Sequence, residues 1–315
     1  MGNKKKLPKI VKEIRAFKPD EINYAYQKNV SYSQFSMYRS CPHKWALQYK
    51  DGHKIFSSTV HTVFGTALHE VLQHYLDVMY GESAAAADRM DIYTMFEDAL
   101  REEYRIQYKK NKSQHFSDSE ELREFYEDGV EILKTFKRKK GQHFNKKGWY
   151  LVGCEIPVVI PPHKFYNNVI YQGYLDIVMY HEPTQTFKII DIKTSTRGWN
   201  DKVKKDEDKQ FQLILYKKFF AEQFNIPISN IDIEFFILKR KVYDHPDYFI
   251  PRIQTFVPAS GKVKLNKADK ALNSFIEEVF DKNGYKDKNY TPTPSKWNCT
   301  FCPFKDNSEL CGVSQ

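Results

Sequence analysis

Apolar positions recur every three to four residues through the first half of the chain, then every second residue. The stretch "HTVFGTALHEVLQHYLDVMY" (61–80) sets Phe64, Leu68, Val71, Leu72, Tyr75 and Met79 on one face of a helix, with Gly65 leaving room for another backbone to approach. Upstream, "SYSQFSMYRSCPHKWALQYKDG" (31–52) spaces Phe35, Tyr38, Trp45 and Tyr49 helically. Ser33 is its expected N-cap, and Pro42 either breaks the stretch or opens a second helical turn. Residues 83–110 and 117–140 predict two further helices, the second with an acidic first turn. The period then shortens: 149–160, 168–180 and 187–195 predict strands, 208–224 a helix, 231–242 a fourth strand and about 264–281 a last helix. Residues 1–30 read as a basic, weakly structured arm, and a Pro-punctuated tail closes the chain. This order predicts an α/β protein with one compact core.

Composition narrows the classes. With 315 residues, 41% hydrophobic and 15% aromatic, the chain can build a sizeable core. It has no apolar run of about eighteen residues, which excludes a membrane-spanning helix. "MGNKKKLPKIVKEIR" lacks the apolar stretch of a secretory signal, and Lys6 stands where myristoylation wants Ser or Thr. The expected location is therefore the reducing cytoplasm of a bacterial or phage-infected cell. A net charge of +9 suits a polyanionic partner, and "KRKKGQHFNKKGW" (137–149) concentrates that charge. The cysteines Cys41, Cys154, Cys299, Cys302 and Cys311 make a poor disulfide framework, and three fall in the last seventeen residues, which points to a metal.

The chemistry gathers on "YLDIVMYHEPTQTFKIIDIKTS" (174–195), which reads as a hairpin turning at Pro183. With the turn centred between Pro183 and Thr184, paired residue numbers sum to 367, and Asp176 falls opposite Asp191. Like charges that close are destabilising unless they share a proton or hold a cation. Lys193 lies on the same face as Asp191, and a basic protein with two such acids favours a hard cation such as Mg²⁺. In "QFQLILY", Gln212 and Tyr216 share a helical face, and His69 flanks the apolar face of the 61–80 helix.

The order "YRSCP", "FGTALHEVL", "GYLDIV", "IIDIKTS", "QFQLILY", then C-x2-C and a further Cys, resembles the RecB-like branch of the PD-(D/E)XK nucleases. AddB-type and CRISPR-associated iron–sulphur exonucleases belong to that branch. The likeness spans most of 31–311, with no contribution from a helical insert at about 81–145. It implies a restriction-endonuclease-like mixed sheet flanked by helices, in one nuclease domain over 31–315. It further implies that His69, Asp176 and Asp191 bind Mg²⁺ or Mn²⁺ with the Ile192 carbonyl, and that Lys193 positions or activates water. Gln212 and Tyr216 would contact DNA or steady the site, and Glu155 stands where relatives often carry an acid. The implied function is an exonuclease of DNA recombination, repair or replication. No P-loop is present, so a helicase or recombination partner would be a separate chain. The alternative is a catalytically silent nucleic-acid-binding scaffold.

"WNCTFCPFKDNSELCG" supplies Cys299, Cys302 and Cys311, one thiolate short of a closed tetrahedral site. The resemblance supplies Cys41 as the fourth ligand of a 4Fe–4S cluster, with zinc as the alternative and Cys154 as a bystander. The eight residues between Cys302 and Cys311 are more than relatives commonly have.

Overall fold

A mixed sheet runs through the centre of the computed structural model, which describes residues 6–20, 28–53, 55–144, 147–162, 166, 168–243 and 250–312. Its strands are β1 (Lys28–Val30), β2 (Trp149–Ile160), β3 (Val169–His181), β4 (Thr186–Ser195), β5 (Ile231–Lys239) and β6 (Ile253–Phe256). β2 runs antiparallel along nearly all of β3. The other edge of β3 is shared: β1 pairs parallel at Val169–Tyr171, and β4 pairs antiparallel at Ile177–His181. β5 lies parallel to β4, and β6 closes the far edge.

The first seven α-helices described are α1 (Lys9–Ala16), α2 (Tyr32–Ser40), α3 (Pro42–Trp45), α4 (Val60–Gly81), α5 (Ala84–Arg89), α6 (Ile92–Lys110) and α7 (Ser119–His143), with a π-helical turn at Ala46–Lys50 after α3. After the first three long strands come α8 (Asp201–Lys205), α9 (Glu207–Gln223), α10 (Lys262–Val279), α11 (Lys296–Thr300) and α12 (Ser308–Cys311). A small hairpin, β7 (Phe280–Asp281) and β8 (Gly284–Tyr285), follows α10.

Two apolar layers form instead of one core, because alternate residues of each strand enter opposite faces. Phe187 and Ile189 of β4 join Phe35, Trp45, Phe211 and Phe275 on one side. Ile190 and Ile192 join Phe64, Phe96 and Phe136 on the other, so α5, α6 and α7 of the expected helical insert pack with α4 as the cover of that face. None of the helices is long and apolar enough to cross a membrane, among the described residues.

Several expectations are corrected. The first thirty residues are not a loose arm where they are described: Val11 and Ile14 of α1 are buried. Arg15 donates from Nε to the Val152 carbonyl at 2.8 Å and from its terminal nitrogen to Leu151 at 2.7 Å. Those carbonyls flank the bulge of β2, where the ladder itself is irregular. Ser31, not Ser33, caps α2, its hydroxyl accepting from the Gln34 N–H. The 83–110 helix divides because Asp91 caps a new one, accepting from Thr94 N–H. Pro42 does open a second helix, as its first residue.

Candidate active site

Residue numbers in the β2–β3 ladder sum to 331 from Gly153 to Ile160, but one rung is missing, between Cys154–Ile177 and Ile156–Leu175. Glu155 and Asp176 face each other across that gap. Glu155 has φ +51°, a left-handed backbone that is costly for a residue other than glycine. β3 also changes phase there: Tyr171 and Leu175 enter the same apolar layer as Val178 and Tyr180, which have the opposite parity.

On the other edge, the β3–β4 ladder keeps the expected sum of 367 through five rungs and ends at Ile177–Ile190. One step beyond, Asp176 and Asp191 lie opposite each other in that register. No ladder bond forms at this step; the Ile192 N–H donates to Asp176 Oδ2 at 2.7 Å. Glu155, Asp176 and Asp191 therefore stand in a row across β2, β3 and β4.

Each acid has its own neighbour. Gln73 of α4 donates from Nε2 to Glu155 Oε1 at 2.6 Å and to the Asp176 carbonyl at 3.0 Å. Lys193 Nζ lies 2.8 Å from Asp191 Oδ2. Asp191 Oδ2 is buried, and the Lys193 ammonium is the positive group that meets it. Burial, then the charge of Asp191, holds the Asp176 carboxyl well above the usual carboxylate range. Burial raises Asp191 as well, against the opposing pull of Lys193.

His69 stands one helical turn before Gln73 on α4 and puts Nδ1 3.6 Å from Asp176 Oδ2. Burial and the Lys193 charge push the imidazole down to about 4, with the Ile192 carbonyl beside it opposing the shift. The ring is thus neutral at pH 7 and the contact with Asp176 is not an ion pair. At Gly65, a β-carbon would come 3.3 Å from Thr194 Oγ1, so α4 lies close over the end of β4, against a side chain and not the expected backbone.

From the opposite layer, α9 brings Tyr216, buried and hydrogen-bonded to Gln212. Its hydroxyl is raised chiefly by burial, and further by the charges of Asp191, Asp176 and Glu155, and its ring packs over Gly173 of β3. Tyr32 of α2 is likewise raised by burial, and its hydroxyl donates to the Asp208 carbonyl of α9. Sequence reasoning missed Gln73, whose signal was its spacing of four from His69.

A second cluster lies at the tail. Cys41, Cys299, Cys302 and Cys311 are free, half-buried and line one small cavity with Leu47, Pro292 and Phe304. Thr293 Oγ1 and Asn298 Nδ2 both donate to the Ser40 carbonyl, at 2.7 and 2.6 Å, and His43 Nε2 lies 2.8 Å from the Leu310 carbonyl. Cys154 is elsewhere, its Sγ 3.9 Å from the Gln73 carbonyl. Among the described residues, no three His, Cys, Asp or Glu side chains are gathered as a ready-made cage for a metal ion.

A family model described as the PD-(D/E)XK nuclease superfamily matches residues 29–307, most of the chain. No curated protein matches it.

Proposed function

The chain belongs to the PD-(D/E)XK nuclease superfamily, and from that membership we propose that it is a divalent-metal-dependent nuclease that hydrolyses phosphodiester bonds in DNA. Its mixed sheet with helices on both faces is the superfamily's restriction-endonuclease-like fold. The observation that carries the reading is the row Glu155–Asp176–Asp191 beside Lys193, with Asp191 buried, Asp176 largely so and the Lys193 ammonium 2.8 Å from Asp191 Oδ2. Two such carboxylates this close are costly unless positive charge reaches them, and one ammonium does not neutralise both.

A divalent cation fits this donor set. Asp176, Asp191, the Ile192 carbonyl and the neutral His69 would hold it, with Glu155 alongside; hard oxygen donors suit Mg²⁺ or Mn²⁺. Each acid meets a separate donor: Glu155 the Gln73 amide, Asp176 the Ile192 N–H and Asp191 the Lys193 ammonium. A bound ion would supply charge neutralisation at a phosphoryl group and a more acidic water. Lys193, beside Asp191, would stabilise charge on the phosphate or orient the attacking water. Gln212 and Tyr216 steady the row from α9 or meet the DNA.

Within the superfamily we place the chain in the RecB-like branch, as an exonuclease acting with a separate helicase or recombination partner. The four cysteines around one cavity support a 4Fe–4S cluster there. A zinc ion, with Zn–S of about 2.3 Å, would need the sulphurs closer together than a four-iron cluster does.

End-labelled single- and double-stranded DNA incubated with Mg²⁺, Mn²⁺ or EDTA tests the activity. Cleavage should require the metal, and Asp191→Asn and Lys193→Ala should each abolish it while DNA binding persists. Failure of the metal-loaded wild type to cut any single-stranded, double-stranded or flapped substrate would replace the nuclease with a binding scaffold.

A further inference from the structure

Between the end of β4 and the first turn of α9, three cations each stand over an aromatic ring. Arg197 lies 5.1 Å from the Tyr243 ring centroid, Lys202 5.2 Å from Trp297, and Lys209 5.8 Å from Trp199. The outer rings are not core residues: Trp297 is 80% exposed, Phe301 87% and Tyr243 56%. Trp297 and Phe301 are four residues apart, Trp297 on α11 and Phe301 at its C-cap, and both are open to solvent. The connection "RGWNDKVKK" (197–205) carries four cations and one acid, Asp201, which lies 3.9 Å from Lys204. It begins four residues after Lys193, so at most about 30 Å of chain separates Lys193 from Lys202.

Exposed flat apolar rings rimmed by cations fit a polyanion that itself carries flat apolar groups. Single-stranded nucleic acid has both, because its phosphates are charged and its bases are unpaired; duplex DNA hides the base faces. We infer that Trp297 and Phe301, with Arg197, Lys202, Lys204 and Lys205, form a stacking platform for a single-stranded segment leading to or from the acid row. The destination of that segment rests on the nuclease reading; the binding itself does not require cleavage. Bases stack on Trp297 and Phe301 without sequence preference, and the lysines of α8 meet the phosphates.

The test is fluorescence anisotropy in EDTA with fluorescein-labelled oligothymidylate, the same strand made abasic over its centre, and a blunt duplex. The Trp297→Ala, Phe301→Ala double variant should bind oligothymidylate roughly 10- to 100-fold more weakly, the range set by losing one or two stacked bases. Its affinity for the duplex and for the abasic strand should stay near that of the wild type. Lys202→Gln with Lys205→Gln should instead flatten the salt dependence of binding by about one unit of slope per lysine. Equal affinity of the double variant for oligothymidylate, or an equal loss on duplex, overturns the inference. So does a wild type that sediments as a dimer while the double variant is a monomer with unchanged affinity for oligothymidylate, which would give the rings to a second copy of this chain. Binding and cleavage are read separately. A protein that cuts DNA but shows no stacking loss overturns this inference alone; one that shows the loss but never cuts overturns the nuclease reading alone.

Discussion

Asp176 accepts the Ile192 N–H on the same oxygen that faces His69, so the fold uses this carboxylate as a backbone acceptor while chemistry would use it as a ligand. Its pKa is raised in the folded protein, first by burial and then by Asp191. In the unfolded chain an aspartate ionises near about 3.9. The folded state is therefore penalised progressively as pH rises above that value, and the penalty is absent at lower pH, where both states are protonated. Asp176→Asn keeps an oxygen for Ile192 and removes the charge. In EDTA its melting temperature should exceed that of the wild type at pH 7, and the gain should vanish near pH 4 in differential scanning fluorimetry. Mg²⁺ should stabilise the wild type and not the variant, because only a state that binds the ion is favoured by it. Gln73 makes the complementary case, since one amide nitrogen bridges Glu155 and the Asp176 backbone across the missing rung. Gln73→Ala should lower cleavage roughly 10- to 100-fold, the usual cost of losing a group that orients a metal ligand. The Mg²⁺ concentration for half-maximal activity should rise with it; a loss of activity at unchanged metal dependence would make Gln73 structural only.

At the scale of elements, the layer formed by α4, α6 and α7 depends on one close approach. A β-carbon at Gly129 of α7 would lie 2.2 Å from the Phe96 ring of α6, and Phe96 is fully buried. Gly129→Ala should therefore cost about 1–3 kcal/mol in urea unfolding, the range for overpacking a core. Gly141, on the same helix, meets nothing within 4 Å, and Gly141→Ala should stabilise by about 0.4–1 kcal/mol. Similar values for the two would remove the packing explanation. Long elements of this kind were legible: the periods of α4, α9, β2, β3 and β4 matched the structure to within a residue or two, and the hairpin register held. Short ones were not. β1 has three residues and β6 four, too few to show an alternation, and both are defined by the neighbour they pair with. α1 hid in a basic run because its apolar face is short, with Val11 and Ile14 buried and Ile10 partly so. The acid pair at 176 and 191 was readable from register. The positive φ at Glu155 was not, because nothing in an alternating strand sequence marks the one residue that turns left-handed and drops out of the ladder.

On the scale of the whole molecule, the tail returns to the α2–α3 corner and places thiols from both ends of the chain around one cavity. Three contacts fasten it without any metal: Thr293 and Asn298 on the Ser40 carbonyl, and His43 with Leu310. Cys41 Sγ itself accepts from the Lys44 N–H at 3.5 Å, so that thiol also caps α3. The tail should accordingly stay docked when a cluster is lost, with melting lowered but the nuclease domain still folded. Protein purified without oxygen should be brown and contain iron and acid-labile sulphide in equal amounts. Cys41→Ser, Cys299→Ser, Cys302→Ser and Cys311→Ser should each bleach the colour and lower the melting temperature. Cys154→Ser should do neither, because that thiol lies against Gln73, away from the cavity. A colourless protein with stoichiometric zinc would keep the closure and refute the iron. Colour and melting temperature that both survive Cys41→Ser would refute the joining of the two ends by a shared metal, leaving the hydrogen bonds to Ser40 and His43 as the whole of the attachment.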